Sequence, residues 1–179
     1  MGVEKEPLKD DKQFDKIIEC ATRESEDAKR LILLLRYTGM HISVLCDPKY
    51  ELKEEESDGD INIIWKRTKK KNLKEAYTSI PKSKHIDFDI NEFVRTTRKR
   101  RRKNKRQYFC GLIKRLGERA GVNGASPMTF RHTLGVDMLD QGYPQALVQQ
   151  TLNCSDKVLK TYLKYTTKRK SSYFRNMGW

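Results

Sequence analysis

The stretch Ser126 to Gly142, SPMTFRHTLGVDMLDQG, carries the residue pair best suited to hold an anion, Arg131 and His132. Phe130, Leu134, Met138 and Leu139 recur at three- and four-residue steps, which predicts an amphipathic helix between a Ser-Pro loop and Gly142. Arg131 and His132 fall near its start, where backbone N–H groups lack intrahelical partners and favour negative charge. An Arg there adds a bidentate fork that matches a phosphate. A core helix with a surface Arg fits the same letters, so the rest of the chain must decide. Zinc chemistry finds little support. Cys20, Cys46, Cys110 and Cys154 lie far apart without a CxxC pair and with only three His, which points to reduced thiols in a cytosolic protein.

Two other stretches are suited to a polyanion. Residues 66–72, KRTKKKN, form a basic turn, and residues 95–106 hold nine basic side chains in twelve with no acid. The net charge of +14 is uneven: residues 1–60 have 10 basic and 16 acidic side chains, residues 61–179 have 28 and 8. That asymmetry turns the later two-thirds toward nucleic acid first and an anionic membrane surface second. RNA is a remote reading, for want of an RNP-type aromatic pair. A chain of 179 residues can bury a real core, and 36% hydrophobic against 35% charged is polar without being a disordered composition. The longest apolar run, Leu31–Leu35, is far short of the roughly 20 residues of a membrane span. The N-terminus is charged throughout, unlike a secretion signal, and lacks the Ser or Thr of a myristoylation pattern.

The elements that must position these groups follow in order. Phe14, Ile17, Ile18 and Ala21 predict a helix over 11–29, and LILLLRY lies in a second, buried helix from Ser25 to Tyr37. Tyr50–Glu55, Ile61–Lys66 and Ala76–Ile80 read as three strands, the first two joined by the turn Ser57-Asp58-Gly59-Asp60 and the third closed by Pro81. Asp89 can cap a helix through Val94, and Tyr108, Phe109, Leu112, Ile113 and Leu116 lie on a further one that stops at Ala120-Gly121. Pro144 opens the helix Gln145–Leu152. The expected fold class is mainly α with a small three-stranded antiparallel β-sheet.

Three short boxes in this layout resemble the tyrosine recombinases, the phage-integrase family. Thr38-Gly39-Met40-His41-Ile42-Ser43-Val44-Leu45 is similar to the family's Thr-Gly-x-Arg-x-x-Glu-Leu box, with His41 where the first catalytic Arg stands and Val44 in place of the acid. Met128-Thr129-Phe130-Arg131-His132 is similar to His-x-x-Arg-His, with Met128 for the first His. Leu152-Asn153-Cys154 resembles the Leu-Gly-His step, with Cys154 for the His or Trp, and Tyr162 follows it. The resemblance spans roughly residues 12–168. It implies a catalytic domain over 1–168, a C-terminal tail over 169–179 that docks on a neighbouring protomer, and no N-terminal clamp domain.

In that family Arg and His cradle the scissile phosphate, Tyr attacks phosphorus to leave a 3′-phosphotyrosine, and a hairpin Lys protonates the 5′ oxygen. The resemblance implies Tyr162 as nucleophile with Tyr165 as competitor, Arg131, His41, His132 and Cys154 around the phosphate, and Lys69, with Lys66 behind it, as the acid. Lys66, Arg67, Lys70, Lys71, Arg98, Lys99, Arg100, Arg101, Arg102, Lys103, Lys105 and Arg106 are the expected DNA contacts. The implied partners are double-stranded DNA and further copies in a tetrameric synapse. Neither metal nor ATP is implied, and the implied location is cytoplasmic or nucleoid-associated. Substituting His41 for Arg loses a fixed charge and a fork, so the alternative is a degenerate DNA-binding protein on the same fold. Either reading predicts sequence-tolerant duplex binding at micromolar strength. Affinity should fall by about 0.9 log unit per log unit of salt for each phosphate contact, read by fluorescence anisotropy; a flat salt dependence would exclude a phosphate-facing surface.

Overall fold

The computed structural model describes residues 6–58, 60–67, 76–81, 88–99 and 104–176, with backbone alone at 67, 76–77, 81 and 172–176. Among the described residues are eight helices and one sheet. They are α1 (Asp11–Glu24), α2 (Glu26–Thr38), α3 (Ile42–Cys46), β1 (Tyr50–Ser57), β2 (Asp60–Arg67), β3 (Ala76–Pro81), α4 (Ile90–Lys99), α5 (Lys105–Arg119), α6 (Pro127–Asp140), α7 (Gln145–Leu152) and α8 (Asp156–Asn176). The fold class is the expected one. None of these helices is long and apolar enough to cross a membrane.

Boundaries differ from the sequence reading for local reasons. The first helix ends at Glu24 rather than 29, because Ser25 is extended and its side chain caps α2 by accepting from Ala28 N–H at 3.1 Å. Helix α5 begins at Lys105, three residues before the apolar repeat, so part of the basic run is helical. The last helix runs on to Asn176, through residues expected to be tail. The strands pair antiparallel in the order β1-β2-β3, with Ser57 opposite Asp60 and Asp58 at φ 49° turning the first hairpin.

The main core joins α1, α2, α3, α4 and α5 with the inner face of the sheet, where Ile61, Ile63, Trp65 and Ile80 are buried. A second cluster, Val136, Leu139, Val148, Leu152, Leu159 and Tyr162, ties α6, α7 and α8 together. An ion network closes the molecule beside it. Arg36 of α2 donates to Asp137 Oδ2 at 2.6 Å, and Arg169 of α8 to Asp137 Oδ1 at 2.7 Å and Asp140 Oδ2 at 3.1 Å. Arg169 also reaches the Leu8 carbonyl at 2.6 Å, while Leu8 N–H donates to Thr133 Oγ1 at 2.8 Å.

Gly135 sets how closely α8 approaches α6. A Cβ at that position would fall 2.5 Å from Tyr162 Cε2 and 2.6 Å from Cδ2, carbons of a rigid, fully buried ring. Gly135→Ala should lower stability by about 1–2 kcal/mol, an overpacking cost of roughly 1–3 offset by up to about 1 from helix propensity. The urea midpoint measures it, and an unchanged midpoint would show that the two helices can separate freely.

Candidate active site

Helix α6 holds the centre of the site. It starts at Pro127, whose missing N–H costs nothing in the first turn, and Ser126 N–H donates to Thr129 Oγ1 at 3.2 Å. This fixes Arg131 one turn into the helix, under the loop that joins α2 to α3. The residue is only 4% exposed. Its guanidinium donates to the Gly39 carbonyl at 2.8 Å and to the Leu152 carbonyl. The sequence reading gave this fork to a phosphate; two of its five N–H donors are instead spent on the ends of α2 and α7. Burial lowers the Arg131 pKa, and Tyr162 and Cys154 nearby act in the opposite direction.

Both carbonyl partners depend on left-handed backbone. Gly39 caps α2 at φ 58°, and its Cβ would strike Leu152 Cδ2 at 2.6 Å, so only glycine fits. Asn153 caps α7 at φ 45°, where the resembling family has glycine; Asn is the other residue that takes this conformation readily.

The expected residues converge around Arg131. Tyr162 is fully buried, its ring edge-on to His132 with centroids 5.4 Å apart. Its hydroxyl makes no hydrogen bond of good geometry, although the Arg131 guanidinium lies close enough to draw its pKa down. Desolvation outweighs that pull, and the phenol is pushed up to about 12. Cys154 is half-buried, and burial raises its thiol against the opposing Arg131 charge. Tyr165 lies one turn further on, with Lys168 Nζ 5.8 Å above its ring.

His41 caps α3 through its backbone, without a side-chain cap bond. The residue meets solvent, yet its imidazole is desolvated enough, and close enough to Arg131, Arg106 and His132, for its pKa to fall to about 4. It is neutral at pH 7. Arg106, one of the basic residues of the run 95–106, thus brings its charge to bear on His41; no spacing rule links it to the boxes.

Other cations take structural roles. Arg98 Nη2 donates to the Val44 carbonyl at 2.7 Å, and Lys105 Nζ to the Arg98 carbonyl at 2.5 Å. Lys66 pairs across the sheet with Glu51 at 3.8 Å, and Lys99 is exposed. Lys69, Lys70, Lys71, Arg100, Arg101, Arg102 and Lys103 lie outside the described residues, and Arg67 is described by backbone alone. Among the described residues no group of His, Cys, Asp and Glu is arranged to hold a metal ion.

Comparison with known proteins bears on the family and the fold. Residues 9–171 match the profile of the Phage integrase family. Among curated proteins none matches the sequence. The fold is similar to XerH site-specific recombinase in a post-cleavage complex with palindromic difH substrate, with TM-score 0.65, 17% identity, and 97% of this chain and 52% of that one covered. It is similar to XerA recombinase, with TM-score 0.58, 21% identity, and 92% and 65% covered. It is also similar to the Tn1549 transposon integrase in complex with a circular intermediate DNA, with TM-score 0.57, 14% identity, and 98% and 67% covered. The chain spans about half the length of XerH and 65% of XerA. At these identities the likeness concerns the fold.

The depressed His41 pKa has a consequence for stability. An unfolded His titrates near 6.5, the folded one near 4, so the unfolded chain binds the extra proton between those values. The contribution is present above pH 6.5 and is lost as pH falls toward 4; solvent screening at this exposed residue reduces it. His41→Asn should therefore lose less stability than the native protein between pH 7 and pH 5, read from urea midpoints. Equal losses would place the imidazole outside the field of Arg131 and Arg106.

Proposed function

The chain belongs to the phage integrase family, and on that premise we propose that it is the catalytic domain of a tyrosine-type site-specific DNA recombinase. The carrying observation is the convergence of groups from all three boxes on Arg131: the Gly39 carbonyl and His41 from the first, His132 beside it in the second, Leu152, Cys154 and Tyr162 from the third. Among the described residues Arg131 is buried without a carboxylate partner, which leaves its charge for an incoming phosphate.

In the proposed reaction the Tyr162 Oη–P bond forms as the P–O5′ bond breaks. The phenolic proton passes to His132, and Lys69 protonates the departing 5′ oxygen, with Lys66 as its stand-in. The bond energy stays in the phosphotyrosine link, and a DNA 5′ hydroxyl reverses the step on rejoining. Preorganised positive groups stabilise the charge on the phosphorane-like transition state. Phosphate binding favours a protonated His41, which adds a cation where the family has Arg. Duplex DNA is the substrate, further copies complete a synapse, and residues beyond Arg169 supply the contact between protomers, Arg169 itself being anchored in its own chain.

Complete burial of Tyr162 and a phenol near 12 favour a second reading, a DNA-binding protein without strand cleavage. A nicked-duplex library with a randomised core, scored for protein–DNA adducts on a denaturing gel, separates the two. The native protein should form an adduct, and Tyr165→Phe should retain it. Tyr162→Phe should abolish it at unchanged DNA affinity and nearly unchanged melting temperature, since no well-formed hydrogen bond is lost. Adduct retained by Tyr162→Phe and lost by Tyr165→Phe would move the nucleophile; no adduct from the native protein would select the second reading.

A further inference from the structure

Position 41 raises a question that the three boxes do not answer. A histidine there is neutral at pH 7 and lacks the fork of the arginine it replaces, so the pocket is short of one fixed positive charge. The deficit sits at the start of α3, the helix that packs against the first turns of α5. Between them runs a cleft of about 780 Å³ that includes Ser43, Cys46, Asn104, Lys105, Arg106 and Gln107 in its lining. Ser43, two residues after His41, and Arg106 therefore line the same space.

The end of α4 is fastened onto α3, and the start of α5 onto the end of α4. Arg98 donates to the Val44 carbonyl, and Lys105 donates back to the Arg98 carbonyl. These bonds spend two cations on backbone oxygens and fix Arg106, the next residue, beside the start of α3. Arg95 pairs with Glu92, and Lys99 lies in the field of the same carboxylate. Asp47, the acid in the cleft, accepts from Lys49 N–H at 2.9 Å and faces the Arg98 charge. Arg106 is exposed and, among the described residues, its guanidinium has no carboxylate or carbonyl partner. It is close enough to His41 for its charge to bear on that imidazole.

We propose that Arg106 is a catalytic residue, supplying from the first turn of α5 the second guanidinium that position 41 lacks, so that Arg131 and Arg106 together hold the scissile phosphate. The inference rests on the recombinase reading. Arg131 gives a buried charge aimed by α6, and Arg106 gives an exposed fork on the cleft that Ser43 also lines. The His41 imidazole, in the field of both, stays neutral until the phosphate arrives. A pocket built in this way keeps two fixed positive charges, although the first box contributes none.

The test uses the full chain and the nicked duplex recovered from the randomised library, in single-turnover reactions at saturating DNA. Arg106→Ala should slow adduct formation about 10²-fold, the scale of losing one preorganised donor. Arg106→Lys should recover only part of the rate, because an ammonium lacks the fork. His41→Arg should restore Arg106→Ala to within about tenfold of the native rate, by returning the guanidinium to the first box. Arg115→Ala, an exposed guanidinium further along α5, should leave the rate at saturation unchanged. If Arg106→Ala also leaves that rate unchanged and only weakens binding, reducing the salt slope by about 0.9, Arg106 is an ordinary backbone contact and the proposal fails while the recombinase reading stands. If the native protein forms no adduct with any library member, the recombinase reading fails and the catalytic role fails with it.

Discussion

The buried guanidinium of Arg131 is the contact on which the rest of the site depends. It sits between the C-terminal ends of α2 and α7, donating to one carbonyl at each. Those ends carry unpaired carbonyls and the negative pole of the helix dipole, roughly half an elementary charge each. They serve here as hydrogen-bond partners of the buried cation, and among the described residues no carboxylate pairs with it. The difference from a salt bridge matters. Arg36 and Arg169 are neutralised by Asp137 and Asp140 and act as fasteners; Arg131 is held by dipoles and keeps its formal charge for a ligand. One interaction thus brings the first and third boxes to the second and leaves the pocket electropositive.

Close approach of backbone makes that geometry possible. Gly39 leaves room for Leu152, and Gly135 leaves room for the Tyr162 ring, so these two side chains seat directly on backbone at the end of α2 and on α6. Tyr162 becomes both a core residue of the second cluster and a phenol in the field of the buried charge. Packing and chemistry compete there. The desolvation that seats the ring raises its pKa, while the cation that would activate it lies beside it. Packing of the C-terminal helix is therefore coupled to the acidity of its tyrosine.

The basic stripe shows the same division of labour at larger scale. A run of nine cations in twelve residues reads as one surface, but its described members divide by what their head groups meet. Arg98 and Lys105 serve the backbone, Arg95 serves Glu92, and Arg106 and Lys99 remain exposed. Positive charge draws in a polyanion over a Debye length or so; which cations touch it is decided one hydrogen bond at a time.

Much of the architecture was legible in the letters because local rules govern it. The periods of α2 and α5, the Ser-Pro start of α6, the Ser57–Asp60 turn and the order of the three boxes depend on near neighbours in the chain. The candidate residues His41, Arg131, His132, Cys154 and Tyr162 could be named from those boxes, and the fold brings them together. Three things required the tertiary structure. Arg131 binds carbonyls 92 and 21 residues away, and no sequence pattern marks a carbonyl as a partner. The His41 pKa falls to about 4 because the fold desolvates its imidazole and because α5 and α6 bring the charges of Arg131, Arg106 and His132 to bear on it. Tyr162 is fully buried in the field of Arg131 because Gly135 admits its ring, whereas spacing alone put Tyr162 and Tyr165 on one helical face. Side-chain type and local periodicity are written along the chain. Burial, charge state and the partner of each donor arise where distant segments meet, and only the folded structure decides them.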